Sequence, residues 1–159
     1  TDLTKYHLAI LNSKLVYFYF SNISNNLGEG AFRWIKQFVE QIPIPKIEQN
    51  RQKPFKILVD YIIYLKKEKK ENYIIEFFER VIDIAVYELY FKEEFISKDI
   101  EFIKYVKEDF FSIEGLDDSL KEQIIRDSYL KLTESKNKIR NNLLLLPIEF
   151  DFIKTIIWS

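Results

Sequence analysis

Apolar side chains recur at helical spacing through almost all of the chain after Pro54, and this pattern constrains the fold more than any other feature. The clearest stretch is residues 74–91, where one face contains Ile74, Phe77, Phe78, Val81, Ile82, Ala85 and Leu89. The opposite face contains Glu76, Glu79, Arg80, Asp83 and Glu88. An apolar stripe with charges opposite is typical of a helix that packs one face against a core. The sequence therefore predicts helix through residues 54–159, with 74–91 the most buried segment.

Further helices are predicted from the same period. One spans residues 5–20, where leucines and aromatic residues share a face. Another begins at Pro54, because the fixed φ angle of proline suits the first helical position. A third is marked by the spacing of Ile96, Ile100, Ile103, Val106 and Phe110.

The last part of the chain is predicted to form one long helix and one short helix. Gly115 interrupts the apolar pattern, and either Asp117 or Asp118 is expected to cap a long helix that continues to Leu143. Pro147 is then expected to start a short terminal helix that ends near Trp158.

Turn residues and prolines interrupt the helical pattern between residues 21 and 45. Segment 21–30 contains two of the three glycines together with asparagine and serine, which indicates a loop. Residues 31–36 alternate loosely between aromatic and basic side chains and predict a short strand. Pro43 and Pro45 lack backbone N–H groups, so their segment is expected to be an extended edge or a loop. The predicted fold class is therefore mainly α with a small β element.

Charge is distributed unevenly along the chain of 159 residues. The 24 basic and 25 acidic residues give a formal net charge of −1. Residues 1–56 contain eight bases and four acids, whereas the remainder contains 16 bases and 21 acids. Only the first part is expected to meet a polyanion, although chance clustering in a mixed surface is the alternative. The predicted boundary, where prolines and amides cluster and the charge changes sign, divides the chain into residues 1–52 and 53–159.

Several classes of chemistry are excluded by what the sequence lacks. The chain contains no cysteine and one histidine, which excludes a disulfide scaffold, a zinc ribbon and a multi-histidine metal site. No apolar run approaches the about 20 residues of a membrane span, so no membrane partner is predicted. No cofactor-binding loop and no catalytic constellation is found, so no cofactor is predicted. Because Thr1 is not an initiator methionine, we expect the chain to be a piece of a longer protein.

A nuclease site is the one catalytic hypothesis that the sequence allows to be tested. Metal-dependent nucleases place an acid before an acid-x-Lys triplet on adjacent strands. Asp60 precedes residues 68–70 (Glu-Lys-Lys), and Asp127 precedes residues 134–136 (Glu-Ser-Lys). Both matches lie in helical pattern, and several are expected by chance, so solvated helix faces are the favoured interpretation.

Segment 21–37 has the composition of a nucleic-acid contact. Amides and arginine bond base edges in pairs of hydrogen bonds, whereas lysine and hydroxyl groups hold phosphates. The candidate DNA-binding residues are Lys14, Ser24, Asn25, Asn26, Arg33, Trp34, Lys36 and Gln37. Arg33 and Gln37 are candidates for base edges, and Lys14 and Lys36 for phosphates. The alternative is an ordinary polar loop that feeds a strand, with Trp34 in the core and Arg33 paired with an acid, Glu29 or Glu40.

These residues also form a spaced series of motifs. Residues 11–15 are Leu-Asn-Ser-Lys-Leu, Gly28 and Gly30 follow, and residues 40–45 are Glu-Gln-Ile-Pro-Ile-Pro. Phe32-Arg33 and residues 36–38 lie between the glycines and the last motif. The series resembles the C-terminal target-recognition domain of Taq-like N6-adenine DNA methyltransferases and of the fused methylase–nuclease restriction enzymes related to them. The match covers residues 3–47 well and 54–95 loosely.

The resemblance implies a function for the chain. Residues 1–52 would be a helix–loop–strand remnant of a domain that recognises a DNA sequence for a restriction–modification enzyme, and residues 53–159 a helical bundle. Double-stranded DNA and an upstream methyltransferase domain would be the partners, and the location would be cytoplasmic. The methyltransferase motifs are missing from this chain, so it is expected to be non-catalytic on its own. The alternative is a helical protein–protein interaction module without nucleic-acid binding.

Overall fold

The computed structural model describes residues 4–23 and 36–157. The helices are α1 (Lys5–Leu11), α2 (Lys14–Ile23), α3 (Lys36–Val39), α4 (Gln49–Lys67), α5 (Asn72–Tyr90), α6 (Lys92–Ser97), α7 (Ile103–Asp109), α8 (Asp118–Thr133), α9 (Lys138–Glu149) and α10 (Asp151–Ile157). Within those two ranges no strand is present, and the prediction of a mainly α fold is confirmed. The strand predicted over residues 31–36 lies outside the described ranges except for Lys36, which begins α3.

The two long helices α4 and α5 form the centre of the fold, and α1 packs against both. The predicted helix over 74–91 is confirmed as α5, which has a longer run of buried side chains than any other described helix. Phe78 is fully buried, and its ring contacts those of Tyr61 at 5.3 Å and Phe110 at 5.9 Å between centroids. Edge-to-face geometry of this kind adds to the stabilisation from burial. The core therefore joins α4, α5 and the end of α7 through aromatic rings.

Helix α4 begins before the predicted position. Its first residue is Gln49, so Pro54 lies inside the helix and is buried. The predicted division between residues 52 and 53 therefore falls within α4. Buried residues from both sides of it, such as Tyr6 and Phe55, contact each other at 5.4 Å between ring centroids. This packing does not test what residues 1–52 bind, so their assignment to DNA recognition stays a prediction.

The segment around Pro43 and Pro45 is held by tyrosine hydroxyl groups. Tyr90 Oη donates to the carbonyl of Pro43 at 2.6 Å, and Tyr6 Oη donates to the carbonyl of Pro45 at 2.7 Å. Because proline has no N–H, the segment cannot join a regular strand ladder, but its carbonyls still need partners. Burial raises the pKa of both tyrosines to about 12, so the hydroxyls remain donors. The segment is irregular, as the prolines predict.

The predicted helices over 5–20 and 96–110 are each two helices. Ser13 separates α1 from α2, and its hydroxyl donates to the Ile10 carbonyl at 2.7 Å and accepts from the Val16 N–H at 3.3 Å. Asp99 separates α6 from α7, because its φ angle of 54° lies in the left-handed region and ends α6. The apolar period continues across both breaks, so it does not reveal them.

The predicted long helix over 118–143 is also two helices. Asp117 caps α8 as predicted, with its carboxylate accepting from the Leu120 N–H at 3.0 Å. Helix α8 ends at Thr133, and Asn137 starts α9 by accepting from the Arg140 N–H at 3.0 Å. Pro147 does not start the terminal helix, since it lies within α9 and α10 begins at Asp151.

Two acids of α5 that were predicted to face solvent are buried. Asp83 and Glu88 expose only 9% and 7% of their surface. Asp83 Oδ1 accepts a hydrogen bond from the backbone N–H of Lys14 at 2.9 Å, at the start of α2. Glu88 Oε2 accepts from the N–H groups of Phe102 at 2.5 Å and Ile103 at 2.9 Å, at the start of α7. The first N–H groups of a helix have no partner within that helix, so the two carboxylates satisfy donors that would otherwise be buried and unpaired.

Burial has an electrostatic cost at both positions. It raises the pKa of Asp83 from 3.8 to about 6, although the Lys14 N–H and the Lys14 charge oppose the rise. Burial also raises the pKa of Glu88, against the two hydrogen bonds from Ile103 and Phe102. The folded protein therefore prefers the protonated form of Asp83 more than the unfolded chain does.

We predict that Phe78→Ala lowers the free energy of unfolding by about 3–5 kcal/mol, because it leaves a cavity where a fully buried ring packs. Chemical denaturation measures the change. The matched control is Phe111→Ala. Phe111 is 60% exposed, so its replacement is expected to lower the free energy of unfolding by less than about 1 kcal/mol. Equal stability of Phe78→Ala and the parent chain would contradict the packing of α5.

We predict that Asp83→Asn changes how stability depends on pH. The folded-state pKa of Asp83 is raised from 3.8 to about 6. The stability that the protonated carboxyl group contributes to the folded state is therefore fully present below pH 3.8 and is lost as the pH rises through about 6. The asparagine variant does not titrate. Its stability relative to the parent is therefore expected to improve by on the order of 3 kcal/mol between about pH 4 and pH 7. Urea unfolding across this range tests the prediction, and a pH-independent difference would refute it.

Candidate nucleic-acid interface

The structure describes only part of the predicted DNA-binding set. Lys14, Lys36 and the backbone of Gln37 lie in the described ranges. Ser24, Asn25, Asn26, Arg33 and Trp34 lie outside them. The placement of the base-reading candidate Arg33 therefore stays a prediction, and its alternative pairing with Glu40 is not tested.

Lys14 is the first residue of α2 and is exposed. Its backbone is fixed by the hydrogen bond to Asp83, and the preceding residue, Ser13, is buried against α1. The side chain of Lys14 therefore starts from an anchored backbone. Such anchoring lowers the entropy lost when a side chain is held against a ligand.

Lys36 begins the short helix α3 and has a highly exposed side chain. Its Nζ lies 3.6 Å from Glu40 Oε1, one turn later in the chain. The side chain of Lys36 is 87% exposed, so this ion pair is weak and easily exchanged for another anion. Lys36 therefore remains suited to a phosphate contact.

A second group of bases lies where α4 begins. This basic segment consists of Lys46, Arg51, Lys53 and Lys56, and it contains one acid, Glu48. Within the described part of the chain, none of these four bases forms an ion pair with an acid. By contrast, Lys5, in α1, pairs with Asp60 at 2.6 Å. The candidate site predicted from sequence omitted this segment, although it contains four of the eight bases of residues 1–56 and only one of their four acids.

Arg51 lies in the first turn of α4, where the helix end adds to its positive potential. The backbone N–H groups at the start of a helix give that end a partial positive charge, so bases there are unfavourable for the helix itself. The first turn of α4 contains no acid, and its N-cap, Glu48, makes no side-chain capping bond. Lys53 and Lys56 are three residues apart and share one side of α4. Lys53 and Lys56 are therefore neighbouring cations on α4.

A groove of about 870 Å³ between α1, α4 and α5 is a different kind of surface. Its lining is largely apolar, with Leu8, Ile63 and Phe77 among its residues, and Lys14 and Asp83 also line it. A close ion pair, Lys66 Nζ to Glu79 Oε1 at 2.5 Å, lies in the lining. An apolar partner would fit such a lining better than a polyanion would.

The acids of the nuclease hypothesis lie in helices or at their ends, as the favoured interpretation predicts. Asp60 is in α4, where it pairs with Lys5, and Lys70 pairs with Glu122 at 2.9 Å. Across residues 4–23 and 36–157, no three acid, histidine or cysteine side chains are grouped so as to hold a metal ion. Among the described helices, none has both the length and the apolar character needed to cross a bilayer.

No family model, no curated protein and no solved structure matches this chain.

Proposed function

We propose that this chain recognises double-stranded DNA as part of a restriction–modification enzyme in the cytoplasm, with the basic part of the chain as the DNA-facing surface. The observation that best supports the proposal is the basic segment at the start of α4, whose four bases have no ion-pairing acid among the described residues. Bases without acidic partners are available for phosphates, and neutralising phosphates releases counterions, which drives binding. An upstream methyltransferase domain would supply the catalytic chemistry.

Within this proposal, two kinds of contact have separate roles. Lys14, Lys36 and the basic segment would hold phosphates, because an ammonium group acts as a point charge. Arg33 and Gln37 would read base edges, because a planar guanidinium or amide makes paired hydrogen bonds. The short β element predicted from residue 31 and the Asn25–Asn26 loop belong to the same proposed surface.

We predict that replacing Lys53 and Lys56 together by alanine weakens DNA binding about equally for all sequences. Each lost phosphate contact is expected to lower the slope of log affinity against log salt by about one unit, so the double variant would lose about two. Fluorescence anisotropy of a labelled duplex across a salt series measures both quantities. Arg33→Ala would instead cost about 1–3 kcal/mol and reduce the preference among base pairs.

The matched control is the double variant Lys104→Ala/Lys121→Ala. It removes the same charge from the acidic remainder of the chain, where these lysines pair with Glu101 and Asp118. Its affinity and salt slope are expected to equal those of the parent. If the parent chain does not bind duplex DNA even at low salt, the proposal fails and the helical interaction module becomes the better account.

A further inference from the structure

Helix α9 has an exposed apolar face that packing among the described residues does not explain. Its inner side contributes Ile139, Leu143 and Leu146 to the core. On its outer side, Leu144, Leu145 and Ile148 are 59%, 42% and 71% exposed, and Ile148 is the most exposed large apolar residue among those described. A contiguous exposed patch of this kind on a helix marks an interaction surface. We call these three residues the outer face of α9.

Charges at the two ends of the outer face have opposite signs. Lys138 and Arg140 lie at the N-terminal end of α9, and Glu149 and Asp151 lie at or just after its C-terminal end. Bases at the start of a helix and an acid at its end oppose the helix dipole, so this order does not stabilise α9 itself. Glu149 and Asp151 form exposed surface pairs with Lys98 and Lys154, and pairs of this kind exchange at little cost.

We infer that the outer face of α9 binds a second copy of this chain, with the two α9 helices antiparallel across a two-fold axis. Within α9, Arg140 lies as far to one side of the midpoint between Leu144 and Leu145 as Glu149 lies to the other. Antiparallel pairing therefore brings the basic end of each helix to the acidic end of its partner, and it places Ile148 of each copy level with Asn141 of the other. A two-fold contact of this kind uses the same patch on both copies and closes without further growth.

The first test uses the full chain and a matched pair of substitutions. Sedimentation equilibrium is expected to show a monomer–dimer equilibrium for the parent. Ile148→Asp is expected to raise the dimer dissociation constant at least about 100-fold, since each dimer contains the residue twice and loses its burial. Ile63→Asp is the control, because Ile63 is an exposed isoleucine of α4 in the groove, and it should leave the equilibrium unchanged.

The second test uses charge. Lys138→Glu/Arg140→Glu makes both ends of the face acidic, and Glu149→Lys/Asp151→Lys makes both ends basic. Each variant alone is expected to dimerise at least about tenfold more weakly than the parent, because like charges then meet. An equimolar mixture should regain association as a heterodimer, since opposite charges meet again at both ends. Circular dichroism confirms that each variant is folded, and the recovery in the mixture distinguishes repulsion from unfolding.

Three results would each overturn the inference. The first is a parent chain that stays monomeric up to millimolar concentration, which would leave the face to a different partner. The second is a dimer that Ile63→Asp dissociates and Ile148→Asp does not. The third is a mixture of the two charge variants that associates no more strongly than either alone.

Discussion

The arrangement of helices depends on two buried carboxylates of α5 that accept hydrogen bonds from the first N–H groups of other helices. Asp83 holds the start of α2, and Glu88 holds the start of α7. A hydrogen bond to a charged group contributes about 1.5–3 kcal/mol, and leaving a buried donor without a partner costs a similar amount. Burial of the charge opposes this gain, as the raised pKa values show. Helix α5 is thus fixed by polar contacts at two points as well as by its apolar face.

Tyrosine hydroxyls have a related role for the parts of the chain that are not helical. Tyr6 and Tyr90 bond the carbonyls of the proline segment, and Tyr61 bonds the carbonyl of Phe111 at 2.7 Å while contacting Ser128 at 3.1 Å. Each ring packs in or against the core, and its hydroxyl reaches a backbone group that no helix satisfies. Irregular segments next to a core need such partners, because buried carbonyls without hydrogen bonds are costly.

The proposed DNA surface and the outer face of α9 differ in their physical basis. The bases of the basic segment repel one another, and Arg51 opposes the helix dipole at the start of α4, so a polyanion is the partner that would offset this charge. The outer face of α9 exposes apolar area and has balanced charges of opposite sign at its ends, so it suits a copy of itself. Binding at one surface does not require the other, and each proposal can fail without the other.

The sequence alone determined the helical class, the central helix α5 and a cap of α8 at one of two adjacent aspartates, of which the structure selects Asp117. Each depends on neighbours within a few residues, namely the apolar period of 74–91 and an aspartate placed before Leu120. It also located the positive charge in the first third of the chain, but it assigned that charge to segment 21–37 and passed over Lys53 and Lys56. Their significance depends on whether an acid lies nearby in space, and a linear sequence does not show this.

Tertiary structure decided where the helices break and which acids are buried. Asp83 lies opposite the apolar stripe of α5 in a helical projection, so its position predicts exposure, whereas Glu88, seven residues after Val81, falls beside that stripe and not opposite it as predicted. They are buried because α2 and α7 begin beside them and offer N–H donors from residues 69 and 14 positions away in the chain. The helices break at Ser13, Asp99 and Asn137, but the spacing of the apolar residues does not change across these breaks. Local spacing determines that a helix forms, whereas distant donors and acceptors determine where it starts and what its charged side chains contact.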